Sequence, residues 1–199
     1  MAALVEAAAD PAFPAEIVLV LSNKPEAPGL AFAAARGIAT AVVPNKGHKD
    51  RETFDRLMHE KIVAAGAELV CLAGFMRLLS DWFCQMWQGK LINIHPALLP
   101  SFKGLDTHAR ALAAGVKIHG ATVHFVTPEM DEGPIIAQGA VPVLPGDDEA
   151  ALAARVLGEE HRLYPLALRL VATGAARMEG GRCVMAPHGP AGAAQRVPG

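Results

Sequence analysis

Apolar positions along this chain fall into two alternating kinds of segment. Short runs of four to six apolar residues read as buried strands: 16–21 (E-I-V-L-V-L), 40–43, 69–73 and 91–94. Stretches with helical spacing lie between them. Residues 1–9 are Ala-rich and helical from the first position, and 31–36 form a helix that Gly37 ends. Asp50 caps a helix running to Ala65, and Ser80 caps the short segment D-W-F-C-Q-M-W. Residues 107–114 are helical and stop at Gly115. Two further strands, 121–126 and 135–143, follow without a long helix between them. The segment 147–173 is one long helix in which Pro165 allows a bend. Residues 177–185 form a hairpin around Gly180-Gly181. The alternation predicts an α/β fold with a doubly wound, mostly parallel sheet covered on both faces. In such sheets ligands sit beyond the carboxyl ends of the strands.

Composition narrows the classes. The chain has 199 residues, 52% apolar and 19% charged, which suits one globular domain with a sizeable core. We place that domain at 1–185 and read the Gly/Pro-rich residues 186–199 as a disordered tail. A formal net charge of -2 without a Lys/Arg cluster argues against nucleic acid or an acidic membrane as partner. No apolar stretch approaches the roughly 18 residues of a membrane helix. The N-terminus lacks a basic region ahead of its apolar stretch, so it does not read as a signal peptide. Cys71, Cys84 and Cys183 are odd in number and lack metal spacing, so neither a metal nor a disulfide framework is expected. Cys71 reads as a small buried hydrophobe. These features imply a cytoplasmic protein.

The candidate chemistry concentrates in N-I-H-P-A-L-L-P at 93–100 and H-G-A-T-V-H-F-V-T-P-E-M-D-E-G-P at 119–134. Asn93 and His95 are two residues apart at a strand end, so their side chains leave the same face. Pro96 restricts His95 to extended backbone and fixes its direction. An amide donor beside an imidazole can stabilise an oxyanion. Asp131 sits in a turn before Gly-Pro; a carboxylate there, if beside the imidazole, would favour its protonated form. Met76 and Arg77 follow the third strand, where ligand contact competes with plain packing and solvation. Glu160 and His161 lie on the long helix, and His108, His119 and His124 read as packing or hydrogen-bonding residues.

Together, L-A-G-F-M-R-L-L, L-I-N-I-H-P-A-L-L-P, G-L-D-T-H, H-G-A-T-V-H-F-V-T and M-D-E-G-P-I-I-A-Q resemble the phosphoribosylglycinamide formyltransferases of purine synthesis, over nearly the whole chain. The resemblance implies a Rossmann-like formyltransferase fold. It implies 10-formyltetrahydrofolate as cosubstrate, glycinamide ribonucleotide as acceptor, no metal, and a monomer or homodimer. Asn93, His95 and Asp131 match the family's catalytic trio. Arg51, Met76, Arg77, Leu78, Leu79 and Asn93 match its folate positions, and Glu160 and Pro96 its substrate-contacting positions. The family normally opens with an apolar strand and a G-x-G-S-N-like loop that holds the substrate phosphate at a helix N-terminus. Here the first glycine is Gly29, and Met1 opens what matches the helix after that loop. The resemblance therefore implies that Met1 is internal and that the strand and loop lie upstream. Without them, two neighbouring strands would keep unpaired backbone groups, each costing on the order of 1–3 kcal/mol. The alternatives are a formyltetrahydrofolate deformylase, another formyltransferase of this fold, or an inactive folate-binding remnant.

Overall fold

The computed structural model describes residues 1–45 and 47–186; the expected disordered tail lies outside them, Ala186 apart. Helix α1 (Ala2–Ala8) is followed by β1 (Val20–Ser22), α2 (Pro28–Ala34), β2 (Thr40–Val42), α3 (Arg51–Ala64) and β3 (Val70–Leu72). Then come α4 (Asp81–Met86), β4 (Leu91–His95), α5 (Thr107–Ala113), β5 (Ile118–Phe125) and β6 (Ile135–Pro142). The long α6 (Glu149–Ala172) precedes a hairpin of β7 (Ala176–Glu179) and β8 (Arg182–Met185). Local chemistry sets the helix starts. Asp50, Ser80 and Asp148 each accept a backbone N–H from three residues on, at 2.8, 3.3 and 2.8 Å. Helix α2 starts three residues before the expected Ala31, with Pro28 in its first turn, where a missing N–H costs nothing. Helix α6 runs unbroken through Pro165. At the β7–β8 turn Gly180 and Gly181 both take positive φ, 55° and 74°, as a two-residue hairpin requires.

Strand pairing divides the sheet. β1 and β2 pair in parallel, as do β3 and β4, while β5 and β6 extend the second group antiparallel in the order β3-β4-β5-β6. Helices flank both faces. Leu91 of β4 packs toward Phe54, Met58, Phe83 and Trp87 of the α3–α4 side. Its neighbour Ile92 packs toward Val156, Leu163 and Leu168 of α6. One strand thus feeds two cores, as alternation demands of a strand covered on both faces. The Tyr164 hydroxyl ties α6 to the sheet, reaching the carbonyls of Leu72 at 2.7 Å and Ile92 at 3.1 Å.

Between β1 and β3 no ladder forms, and a cleft of about 970 Å³ lies there, lined by Leu19, Leu21, Val70 and Cys71 among others. Val20 N–H bonds Ala39 and Val43 N–H bonds Ser22, so β1 uses these residues toward β2 and turns the backbone of Leu21 to the cleft. Val70 N–H bonds Lys90, so Cys71 faces the cleft from the other side. The expected run 16–21 therefore shrinks to a three-residue strand, because only one of its edges finds a partner. The Cys71 thiol is pushed up to about 12, chiefly by burial, so it is an inert packing group. All three cysteines are free. Among the described residues no helix is long and apolar enough to cross a membrane.

Candidate active site

The site is assembled at the carboxyl end of β4. Strand β4 runs one residue further than the sequence pattern suggests, so His95 is its last residue rather than the start of a loop. The antiparallel register with β5 sets His124 opposite Asn93 and Thr122 opposite His95. Paired residues share a face, so four polar side chains gather on the side away from Ile92. Thr122 is fully buried, and its hydroxyl donates to Ala97 O at 2.7 Å. It also accepts from Leu99 N at 3.0 Å and from Gln138 Nε2 at 3.0 Å. Gln138 in turn donates to Leu99 O at 2.8 Å. The segment after His95 is thereby fastened to β5 and β6.

Asp131 arrives on the turn between β5 and β6. Its backbone takes a left-handed φ of 56°, which strains a residue with a side chain and recurs at functional positions. Two residues on, Gly133 passes so close to β5 that a Cβ there would lie 1.7 Å from Phe125 O. Only glycine lets the turn fold down at this point. The Asp131 carboxylate, 10% exposed, then reaches His95: Oδ2 lies 3.5 Å from Nδ1. That is ion-pair range, slightly long for a hydrogen bond. The same oxygen accepts Gly104 N–H at 2.8 Å. Asp131 Oδ1 lies 3.8 Å from His124 Nε2.

Hydrogen bonds define the ring tautomers. His95 Nε2 donates to Phe102 O at 3.0 Å, and a carbonyl can only accept. Neutral His95 therefore keeps its proton on Nε2 and turns Nδ1 toward Asp131. His124 Nδ1 donates to Phe125 O at 2.8 Å, which leaves Nε2 as an acceptor for Asn93 Nδ2 at 3.4 Å. Burial pushes the His124 imidazole down, so it stays a neutral acceptor. One Asn93 N–H is thus committed, and the other is free to donate into the site. The arrangement offers an amide donor and an imidazole to one developing negative charge, with a carboxylate backing the imidazole. Among the described residues no group of three or more His, Cys, Asp or Glu could hold a metal ion.

The formyl transferase family profile matches residues 1–168. The chain belongs to the formyl transferase family. Its solved and curated relatives agree. Phosphoribosylglycinamide formyltransferase of Escherichia coli is 46% identical over 80% of this chain and 75% of its own length. The trifunctional purine biosynthetic protein adenosine-3 of Bos taurus is 48% identical over 90% of this chain; the match spans 18% of that longer protein. The crystal structure of phosphoribosylglycinamide formyltransferase from Brucella melitensis superposes with a TM-score of 0.82 at 55% identity, covering 86% of this chain and 88% of that one. The mostly parallel, helix-flanked sheet is this formyltransferase architecture.

Within this formyl transferase fold, the other residues singled out from the sequence take separate places. Asn93, His95 and Asp131 come together, with Pro96 beside them. Residues 76–79 form the loop after β3, at the same end of the sheet, since Leu72 pairs with Asn93. Met76 and Leu78 are exposed there, and Arg77 sits 4.8 Å over the Phe54 ring. The side chain of Leu79 is buried in the α3–α4 core and holds the loop down. The loop's far end is tied by the buried Asp55, which accepts Ser80 N–H at 2.6 Å. Arg51 opens α3 and lines a shallow cleft with Ser80 and Asp81. Glu160, its carboxyl raised by burial, faces the Met1 ammonium across from Cys71.

From the sequence His124 reads as a packing or hydrogen-bonding residue, and nothing local there singles out Thr122 or Gln138. Their signal was present: 122 and 124 alternate on one strand and oppose 95 and 93. Seeing it requires the strand register, which no local motif encodes.

Proposed function

We propose that this chain transfers the formyl group of 10-formyltetrahydrofolate to the amine of 5-phosphoribosylglycinamide, a step of purine synthesis in the cytoplasm. The observation that carries the proposal is the 3.5 Å approach of Asp131 Oδ2 to His95 Nδ1 beside the free N–H of Asn93. The acceptor amine attacks the formyl carbon; a new C–N bond forms and the carbonyl oxygen becomes an oxyanion. Asn93 Nδ2 and protonated His95 Nδ1 stabilise that charge. Asp131 supports the charged imidazole and receives its partner contacts from Gly104. Collapse of the tetrahedral carbon breaks its bond to the folate nitrogen, and the proton lost by the amine passes to that leaving nitrogen. Folate lies against residues 76–79, contacting Met76, Arg77 and Leu78 by side chain and Leu79 by backbone, with Arg51 nearby. Pro96 and Glu160 face the glycinamide substrate.

Substitution tests this directly. Asn93→Ala and His95→Ala should each lower kcat by about 10²- to 10³-fold while the circular dichroism spectrum is retained. A His95→Ala enzyme of near-normal rate removes the proposal. Product analysis separates the neighbouring chemistry: formate released without dependence on the amine would make the chain a deformylase.

A further inference from the structure

His95 is held from two sides, and the second side is a loop that bends against its own preference. Within residues 101–106, Phe102, Gly104 and Asp106 all have positive φ, 55°, 79° and 56°. Two of the three carry side chains, for which this backbone region is strained. Such a shape persists only when neighbours impose it. Asp131 supplies one hold, through Gly104 N–H at 2.8 Å, and the Lys103–Glu132 ion pair a second. Both come from the turn that carries the acid of the trio. The third comes from a different element. Arg110 of α5 donates through Nη1 to Lys103 O at 2.6 Å and to Leu105 O at 3.2 Å, and its guanidinium carbon lies 5.7 Å from the Phe102 ring centroid. The two carbonyls it grips bracket the region just after Phe102, whose own carbonyl accepts His95 Nε2–H at 3.0 Å.

We propose that Arg110 is a positioning residue for His95. By gripping Lys103 and Leu105 it keeps Phe102 in its left-handed conformation and its carbonyl on Nε2. That bond selects the Nε2–H tautomer and leaves Nδ1 as the nitrogen that meets Asp131 and the developing oxyanion. A guanidinium suits this task because its planar Nη1 holds two donors at fixed angles, one for each carbonyl; an ammonium is a flexible point donor. The kinetic half of the test rests on the formyl-transfer reading, and the spectroscopic half does not.

The full chain is labelled with ¹⁵N-histidine and its imidazole tautomers are read by long-range ¹H–¹⁵N correlation at alkaline pH, where imidazoles are neutral. The His95 signals are assigned from His95→Asn. The unsubstituted chain should show the Nε2–H form, and Arg110→Ala a mixture of both tautomers. In the same variant kcat should fall about tenfold with both KM values held within about twofold. Arg110→Lys, which keeps a donor without the fork, should fall between. A His95 that remains purely Nε2–H in Arg110→Ala overturns the proposal, whatever the rates. A mixed tautomer with unchanged kcat overturns it as well. If the unsubstituted chain transfers no formyl group, the functional reading fails, and the tautomer result alone still decides the role of Arg110.

Discussion

β1 and β4 begin from similar material, a short run of aliphatic residues, and reach opposite ends. β4 is paired on both edges and covered on both faces, and Ile92 keeps 1% of its surface in water. β1 is paired on one edge only; its three residues are all half-buried beside the open cleft. An aliphatic run states a demand for burial, but neighbours meet it. The difference also separates chemistry from scaffolding. Asn93, His95, His124 and Thr122 all belong to the closed four-stranded half, and Asp131 hangs from the turn joining two of its strands. A site that must hold three polar groups within about 0.5 Å of a working geometry needs such rigid support. The β1–β2 ribbon contributes no group to the trio.

Paired truncations sharpen the contrast. Ile92→Ala should cost about 2–5 kcal/mol in urea unfolding, since a packed site leaves a cavity. Thr122→Val comes next, at about 1–3 kcal/mol, because the removed hydroxyl strands Ala97 O and Leu99 N inside the protein. It should also lower kcat, through the loosened segment after His95. Leu21→Ala should cost only about 1 kcal/mol, since a half-buried side chain gives back little transfer free energy. A Leu21→Ala cost equal to that of Ile92→Ala would mean that the cleft is closed in solution, and the comparison would fall.

What the sequence discloses follows the same division. Capping residues, aliphatic runs and the Gly-Gly hairpin are local signals, and Asp50, Ser80 and Gly180 act as local chemistry predicts. The trio was legible because Asn93 and His95 share a strand face two residues apart and the turn around Asp131 is written in D-E-G-P. Long-range register was not legible: nothing near Thr122 announces that it bonds Ala97, Leu99 and Gln138. Nor could spacing reveal that Leu79 turns into the core while Met76 and Leu78 stay outside, since all three are apolar neighbours in one loop. The left-handed turns at Phe102 and Asp106 were equally hidden, because Phe disfavours that region, Asp merely tolerates it, and tertiary contacts decide.

The last expected effect is a pH dependence confined to the closed half. His119 lies on β5, fully buried, stacked edge-on against His108 and Phe102. Burial, and then the neighbouring His108, push its imidazole down to about 4 from an ordinary 6.5. The unfolded chain therefore binds this proton at a higher pH than the folded chain. Unfolding is favoured progressively as pH falls from about 6.5 to about 4; above that window this destabilisation is absent, and below it complete. His108 and His124 are lowered too and act in the same direction, so the isolating measurement is a difference. Between pH 7 and pH 5 the Tm of the unsubstituted chain should fall by about 4–7 °C more than that of His119→Phe. β1 and β2 contain no titratable side chain, so hydrogen exchange at pH 5 should quicken in β5 and stay unchanged in the ribbon relative to its intrinsic rate. Equal acid sensitivity of both halves would show that they unfold as one unit, with the open cleft no barrier to cooperativity.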